Sequence, residues 1–427
     1  MPHHYYRQHA RLRGVRLASA SPSFPAGTLS PAQILTAYGF KQNQFAGIPS
    51  IKLGIGSLGG GVVQADIDNS VARWGMLAPK LTVRTVEDAV NDPSSDQDAN
   101  VENMLDIVPT MAFCWWWLTG TAADITICFG PNIGTGMSSV TSDLVAAGAE
   151  VVSWSWGSAA SSWASSDRAA LAAAFAAGVA KGVTFCAAAG DNSIDDGTNA
   201  PSADYPCSDP NVWAVGGTNL AIGTDGARLL ESAWGDGAAG DEGGGGGFDS
   251  TVPMPQFQIG IVPGTARGVP DTSANADPNS GWQMSANGSW TVIGGTSASS
   301  PFTAALIAVA RGVSKGAVSG RLTAGAYSFR ATACNDITTG SNGDPAAPGW
   351  DPATGLGSPN GDGFINGILG QSAAPAPTPP GTGPVPVPPA PAPAPPAPPA
   401  PPPAAPTATL DQAIAWATAG LKNHWPK

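Results

Sequence analysis

From Ser30 to Val215, short apolar segments of strand length alternate with segments of helical period, and this alternation limits the fold more than any other feature of the chain. Ser30 before Pro31 predicts a helix opened by an N-cap hydroxyl with proline at its first position. Ile51 to Ile55 reads as a strand ahead of the Gly59-Gly60-Gly61 turn. Val140 to Ala147 is helical, Val151 to Trp156 a strand and Asp167 to Ala180 an alanine-rich helix, while Val183 to Ala188 and Asn211 to Val215 are further strands. Such a succession predicts an α/β architecture: a doubly wound, mainly parallel sheet with helices on both faces. Ligands of such sheets collect beyond the carboxyl ends of the strands, so the residues just past those ends are where chemistry is sought.

Composition sets the boundaries. Ala373 to Thr407 contains only Pro, Ala, Gly, Val and Thr, a tract that favours extended polyproline II and buries too little apolar surface to fold. The reading divides the chain into a basic N-terminal extension (1–29), one folded domain (30–372), a Pro/Ala-rich linker (373–407) and a short C-terminal helical tail (408–427). A net charge of −12 argues against a nucleic-acid surface. Charged residues make up only 12% of the chain, a balance suited to an acidic extracellular or cell-surface setting. No run of eighteen apolar residues predicts a membrane span, and the basic N-terminus lacks the apolar stretch of a signal peptide. The five cysteines form no Cys-x-x-Cys pair and read as buried structural thiols.

Gly294-Gly295-Thr296-Ser297-Ala298-Ser299-Ser300-Pro301 is the setting of a nucleophilic serine ahead of a Pro-started apolar helix. A serine hydroxyl must hand its proton to a positioned base. The histidines, His3, His4, His9 and His424, all lie near the termini, so the available bases are carboxylates. Glu102 and Asp106 are spaced to share one helix face. In water that pattern describes a solvated acidic face; buried, it would force one carboxyl to keep its proton and orient the other. Ala189-Gly190-Asp191 closes an apolar strand with an acid. Asp191 could cap a turn, or, as a neutral acid, donate to a developing oxyanion.

Taken together these segments resemble the sedolisins, the serine-carboxyl peptidases with a subtilisin-like fold. Gly295-Thr296-Ser297 with Pro301, the Glu102/Asp106 pair before Ile107, and Ala189-Gly190-Asp191 match that family's motifs. Ser155-Trp156-Gly157, Tyr205-Pro206, Ala214 to Thr218 and Arg267 to Asp271 extend the match. The resemblance implies an acid-active endopeptidase with Ser297 as nucleophile, Glu102 as general base, Asp106 orienting it and Asp191 as oxyanion donor. It further implies protein or peptide substrates, bound by Ser155 and Gly157, with Asp204 lining a specificity pocket. It also implies one Ca²⁺ ion held by the carboxylates of Asp336 and Asp351 and the carbonyls of Ile337, Ala347 and Gly349, hard oxygen ligands that this cation prefers.

The chain departs from the family pattern at Val108, where an acid is common, and in having no Glu soon after Gly157. The sequence also leads to the expectation that the chain folds without a covalent prosegment. The competing reading is a catalytically silent sedolisin-like module displayed on a cell or virion surface. The tail that begins at Thr409 carries Leu410, Ile414, Ala417 and Leu421 on one side, with Gly420 near its end, a helix that either frays or docks on a partner.

Overall fold

The computed structural model describes residues 6–8, 11–17, 23–198, 200–235 and 242–370, all within one unit, Met1–Ala374. The four histidines, the linker and the C-terminal tail lie outside the described residues. Among those described, no helix is long and apolar enough to cross a membrane.

The elements that position the site are, in chain order, β1 (Arg7–Gln8), β2 (Arg11–Leu17), α1 (Pro31–Ala37), β3 (Lys52–Ser57), α2 (Gln64–Trp74), β4 (Lys80–Thr85), α3 (Gln97–Trp117), β5 (Asp124–Phe129), α4 (Gly136–Ala146), β6 (Val151–Trp154), β7 (Trp156–Ala159), α5 (Ser165–Ala180), β8 (Thr184–Ala188), β9 (Asp204–Tyr205), β10 (Val212–Ile222), β11 (Arg228–Ala233), β12 (Thr272–Asn275), β13 (Trp282–Ala286), β14 (Ser289–Gly294) and α6 (Thr296–Val313). The central sheet runs β11-β10-β8-β6-β3-β5-β4, with β12 also pairing β10. Every pair in it is parallel except β10 with β11, the mainly parallel sheet expected from the sequence.

Alternation along the strands supplies both faces with apolar side chains. Leu53, Ile55, Val151 and Cys186 join one core with Val101, Leu105, Phe302 and Leu306 of α3 and α6. Val152, Trp154, Phe185 and Ala187 join a second core with Val140, Leu144, Leu171 and Phe175 of α4 and α5. The second face is tight: a Cβ at Gly56 would stand 2.5 Å from the Trp154 ring. All five cysteines are buried and unbridged.

The N-cap at Ser30 is present as a capping box with Gln33. Two features differ from the sequence reading. The helix carrying Ser297 starts at Thr296, not at Pro301, which lies inside it. Proline has no N–H to give the carbonyl four residues back, so the Ser297 carbonyl is left for another donor. In addition, the segment read as an extension before the domain contributes two strands to it. β1 pairs antiparallel with β7, Arg7 opposite Gly157 and Gln8 opposite Trp156, and β2 pairs with β14, Arg11 opposite Gly294. Strand edges are recognised by backbone groups, which composition does not reveal.

Candidate active site

Ser297 is the second residue of α6, where the backbone turns from strand to helix. Gly295 makes that turn at φ 121°, and a Cβ at Gly294 would stand 2.2 Å from the Ala276 carbonyl oxygen, so neither position tolerates a side chain. The hydroxyl therefore lies at the helix N-terminus, whose partial positive charge favours developing anions. Ser297 is fully buried, and its Oγ makes no hydrogen bond among the described residues.

Asp191 follows Gly190 (φ 107°) just beyond the carboxyl end of β8. Its Oδ1 accepts from the Thr296 N–H and from Thr296 Oγ, both at 2.8 Å. Asp191 thus holds the residue immediately before Ser297. The capping role that the sequence left open is real, but it serves α6, about a hundred residues further on, rather than the segment following Asp191.

Glu102 and Asp106 lie one turn apart in α3. This helix is started by Asp96, whose side chain accepts from the N–H groups of Asp98 and Ala99, and it continues through Pro109 to Trp117. The perpendicular contact of Phe113 with Phe302, centroids 5.7 Å apart, seats α3 against α6. Both carboxyls are fully buried, which removes the solvated-face reading. Burial pushes the Asp106 carboxyl well above the usual carboxylate range, with the hydrogen bond from Ser155 opposing it.

Ser155 was expected to hold substrate, and its geometry adds a contact that spacing could not show. Its Oγ donates to Asp106 Oδ1 at 2.6 Å and lies 3.4 Å from the Ser297 carbonyl oxygen that Pro301 leaves without a helical partner. One hydroxyl therefore links α3 to the turn bearing Ser297. Gly157 lies on β7, opposite Arg7. Asp204 is buried on β9, which flanks β7. Its Oδ2 stands 3.1 Å from where a Cβ at Gly190 would be, so it packs beside the Gly190-Asp191 turn.

The acids proposed for a metal converge less completely. Asp336 accepts from the Gly349 N–H (3.0 Å to Oδ2), and Asp351 accepts from the N–H groups of Ala347, Ala353 and Thr354 at 2.8–3.0 Å. The two carboxylates thus meet the same short loop, with Ile337 buried beside it. Among the described residues no group of three His, Cys, Asp or Glu side chains is placed to hold a metal ion. The donor set is all oxygen and suits a hard cation only if the loop carbonyls join the two carboxylates.

A family model described as the subtilase family matches residues 117–352. Kumamolisin of Bacillus sp. (strain MN-32) is 34% identical over 393 residues, covering 85% of this chain and 68% of that protein. The chain belongs to the sedolisin family. Sedolisin of Pseudomonas sp. (strain 101) is 33% identical over 206 residues, covering 43% of this chain and 34% of the relative. The structure of Pseudomonas sedolisin, a serine-carboxyl proteinase complexed with two molecules of pseudo-iodotyrostatin, superimposes with a TM-score of 0.71 at 25% identity, over 82% of this chain and all of that one. Sphericase, at 21% identity and a TM-score of 0.50, shares the fold. Like its named relatives, this sedolisin-family chain is a serine-type peptidase with a subtilisin-like fold.

Proposed function

We propose that the chain is an acid-active endopeptidase in which Ser297 attacks the peptide carbonyl, Glu102 takes the hydroxyl proton, Asp106 orients Glu102 and Asp191 hydrogen-bonds the oxyanion. The observation that supports this reading is the burial of all three acids and of Ser297, with Asp191 bonded to Thr296 and Asp106 linked through Ser155 to the Ser297 carbonyl. With no histidine among the described residues, a buried carboxylate is the base at hand. Glu102, on gaining the serine proton, would return it to the leaving amine as the acyl-enzyme forms; water then repeats the cycle, with Glu102 acting first as base and then as acid.

Asp191 can help an oxyanion only as a protonated acid, since a carboxylate there would repel it. The reaction on this reading belongs to low pH. Peptide backbone would lie at Ser155 and Gly157, along the edge of β7 that β1 pairs with in this structure, with Asp204 lining the pocket for a substrate side chain. Asp336, Asp351 and the carbonyls of Ile337, Ala347 and Gly349 would hold a Ca²⁺ ion that cross-links a glycine-rich loop and supports stability rather than chemistry. The setting would be extracellular or surface-associated. Cleavage of a denatured protein across pH 3 to 8, by the chain and by Ser297→Ala, tests the reading. Activity that peaks above pH 7 or survives in the variant would overturn it.

A further inference from the structure

Five successive glycines, Gly243 to Gly247, lie buried against the turn that carries Asp191. The contact is backbone to backbone. Gly245 N–H donates to the Gly190 carbonyl at 2.7 Å, Gly243 N–H donates to the Asp191 carbonyl at 3.2 Å, and Ser193 N–H donates to the Gly243 carbonyl at 2.9 Å. A side chain has no room there: a Cβ at Gly245 would strike the Ala189 carbonyl oxygen, one at Gly246 the Pro352 carbonyl oxygen and one at Gly243 the Ser193 hydroxyl. The main chain on either side of Asp191 is set by this segment, while its carboxyl oxygen Oδ1 is tied to Thr296.

Glycine is the least restrained of residues, so a run of five fixes nothing by itself. Its order is imposed by Asn342, which is 1% exposed and lies between Asp336 and Asp351 in the chain. Asn342 Nδ2 donates to the Gly244 carbonyl at 2.7 Å, and its Oδ1 accepts from the Asp344 N–H at 3.1 Å. The Asn342 carbonyl accepts from Ile194 N–H at 2.8 Å, three residues past Asp191. One buried residue therefore joins the glycine segment to the chain leaving the Asp191 turn. Its amide does not titrate, so the clamp keeps its donor at any pH at which the neighbouring acids change charge.

We propose that Asn342 is a positioning residue for Asp191, acting through the backbone of Gly243, Gly244 and Gly245. An oxyanion donor must be held to within about 0.5 Å of its working place, and a donor that drifts loses rate rather than substrate affinity. Asn342 touches none of the candidate catalytic groups itself; it holds the segment that holds the Asp191 turn. This inference rests on the reading of Asp191 as the oxyanion donor.

The test uses the full chain and one peptide taken from the fragments of a denatured protein that the unaltered chain digests. Asn342→Ala, checked for native circular dichroism, is expected to lower kcat about tenfold with KM nearly unchanged. In an Asp191→Ala background the same change should cost nothing further, because the residue it acts through is gone. An equal loss in both backgrounds overturns the proposal. Asn342→Asp keeps the acceptor and can donate to Gly244 only while its new carboxyl is protonated. Its turnover relative to the unaltered chain should therefore approach one near pH 3 and fall as pH rises, and a ratio indifferent to pH overturns the clamp. Hydrogen exchange followed by mass spectrometry gives a readout independent of activity: in Asn342→Ala, the amides of Ser193, Gly243 and Gly245 should exchange about tenfold faster while those of β8 keep their protection. Unchanged exchange at these three amides overturns the clamp. Faster exchange in a chain that cleaves no peptide, or whose Asp191→Ala variant cleaves normally, leaves the clamp standing and overturns the reading of Asp191.

Discussion

Replacing Ser155 by Ala should cost stability by an amount that grows with pH, because the partner of the lost bond is a titrating carboxyl. Ser155 Oγ meets Asp106 Oδ1 at 2.6 Å in a fully buried setting. While Asp106 is protonated the loss is that of a neutral hydrogen bond, about 1 kcal/mol; once it ionises the loss is that of a charge-assisted one, about 1.5–3 kcal/mol. Burial raises the Asp106 pKa and the Ser155 bond lowers it, so the variant should titrate higher still. A carboxyl whose folded pKa is raised lends stability that is complete below the unfolded value near 4 and is lost as pH rises through the folded value. The variant starts lower and keeps losing stability over a longer span of pH. Urea unfolding of both proteins at intervals from pH 3 to 9 should show the gap widening upward. A gap that stays constant, or that narrows with rising pH, would refute the placement of Ser155 on an ionisable, buried Asp106.

Three further outcomes are expected. Glu102→Gln should lower turnover by about 10²-fold or more while histidine-directed reagents leave the chain active, as pH-resolved peptide hydrolysis would show. Asp191→Ala should reduce kcat far more than it raises KM, since an oxyanion donor acts in the transition state; it should also cost about 1 kcal/mol in unfolding measurements, because Thr296 loses its acceptor. Chelation of Ca²⁺ should lower Tm in a concentration-dependent way that is abolished in Asp351→Ala, and a scanning-calorimetry trace indifferent to chelator would remove the metal site.

The segments of the candidate site stood out in the sequence because each is local. Gly294 to Pro301 declares a strained turn ahead of a helix, Glu102 and Asp106 declare a shared helix face, and Gly190-Asp191 ends an apolar strand. The succession of buried strands from Val151 to Val215 likewise carried the parallel sheet. Edge strands were harder to read: Lys80–Thr85 is largely exposed, so its side chains alternate weakly and its pairing with β5 rests on backbone. Asp124–Phe129 is central to that same edge of the sheet, yet its mixed polar and apolar run did not stand out as a strand.

Whether Glu102 and Asp106 are solvated or buried could not be decided by their spacing, since both outcomes use the same helix; packing of α3 on α6 decided it. The same packing turned Ser155 from a cleft residue into the link between Asp106 and the Ser297 carbonyl, and it gave Asp191 a partner about a hundred residues away. Tertiary structure alone placed Arg7 and Gln8 on the edge of β7 and Tyr6 on Trp163, because a strand edge and an aromatic face select partners by geometry and not by any pattern in the residues between. Local sequence thus determined which groups this peptidase has for its chemistry. Long-range contacts determined which of those groups are buried, and burial is what raises the Asp106 carboxyl.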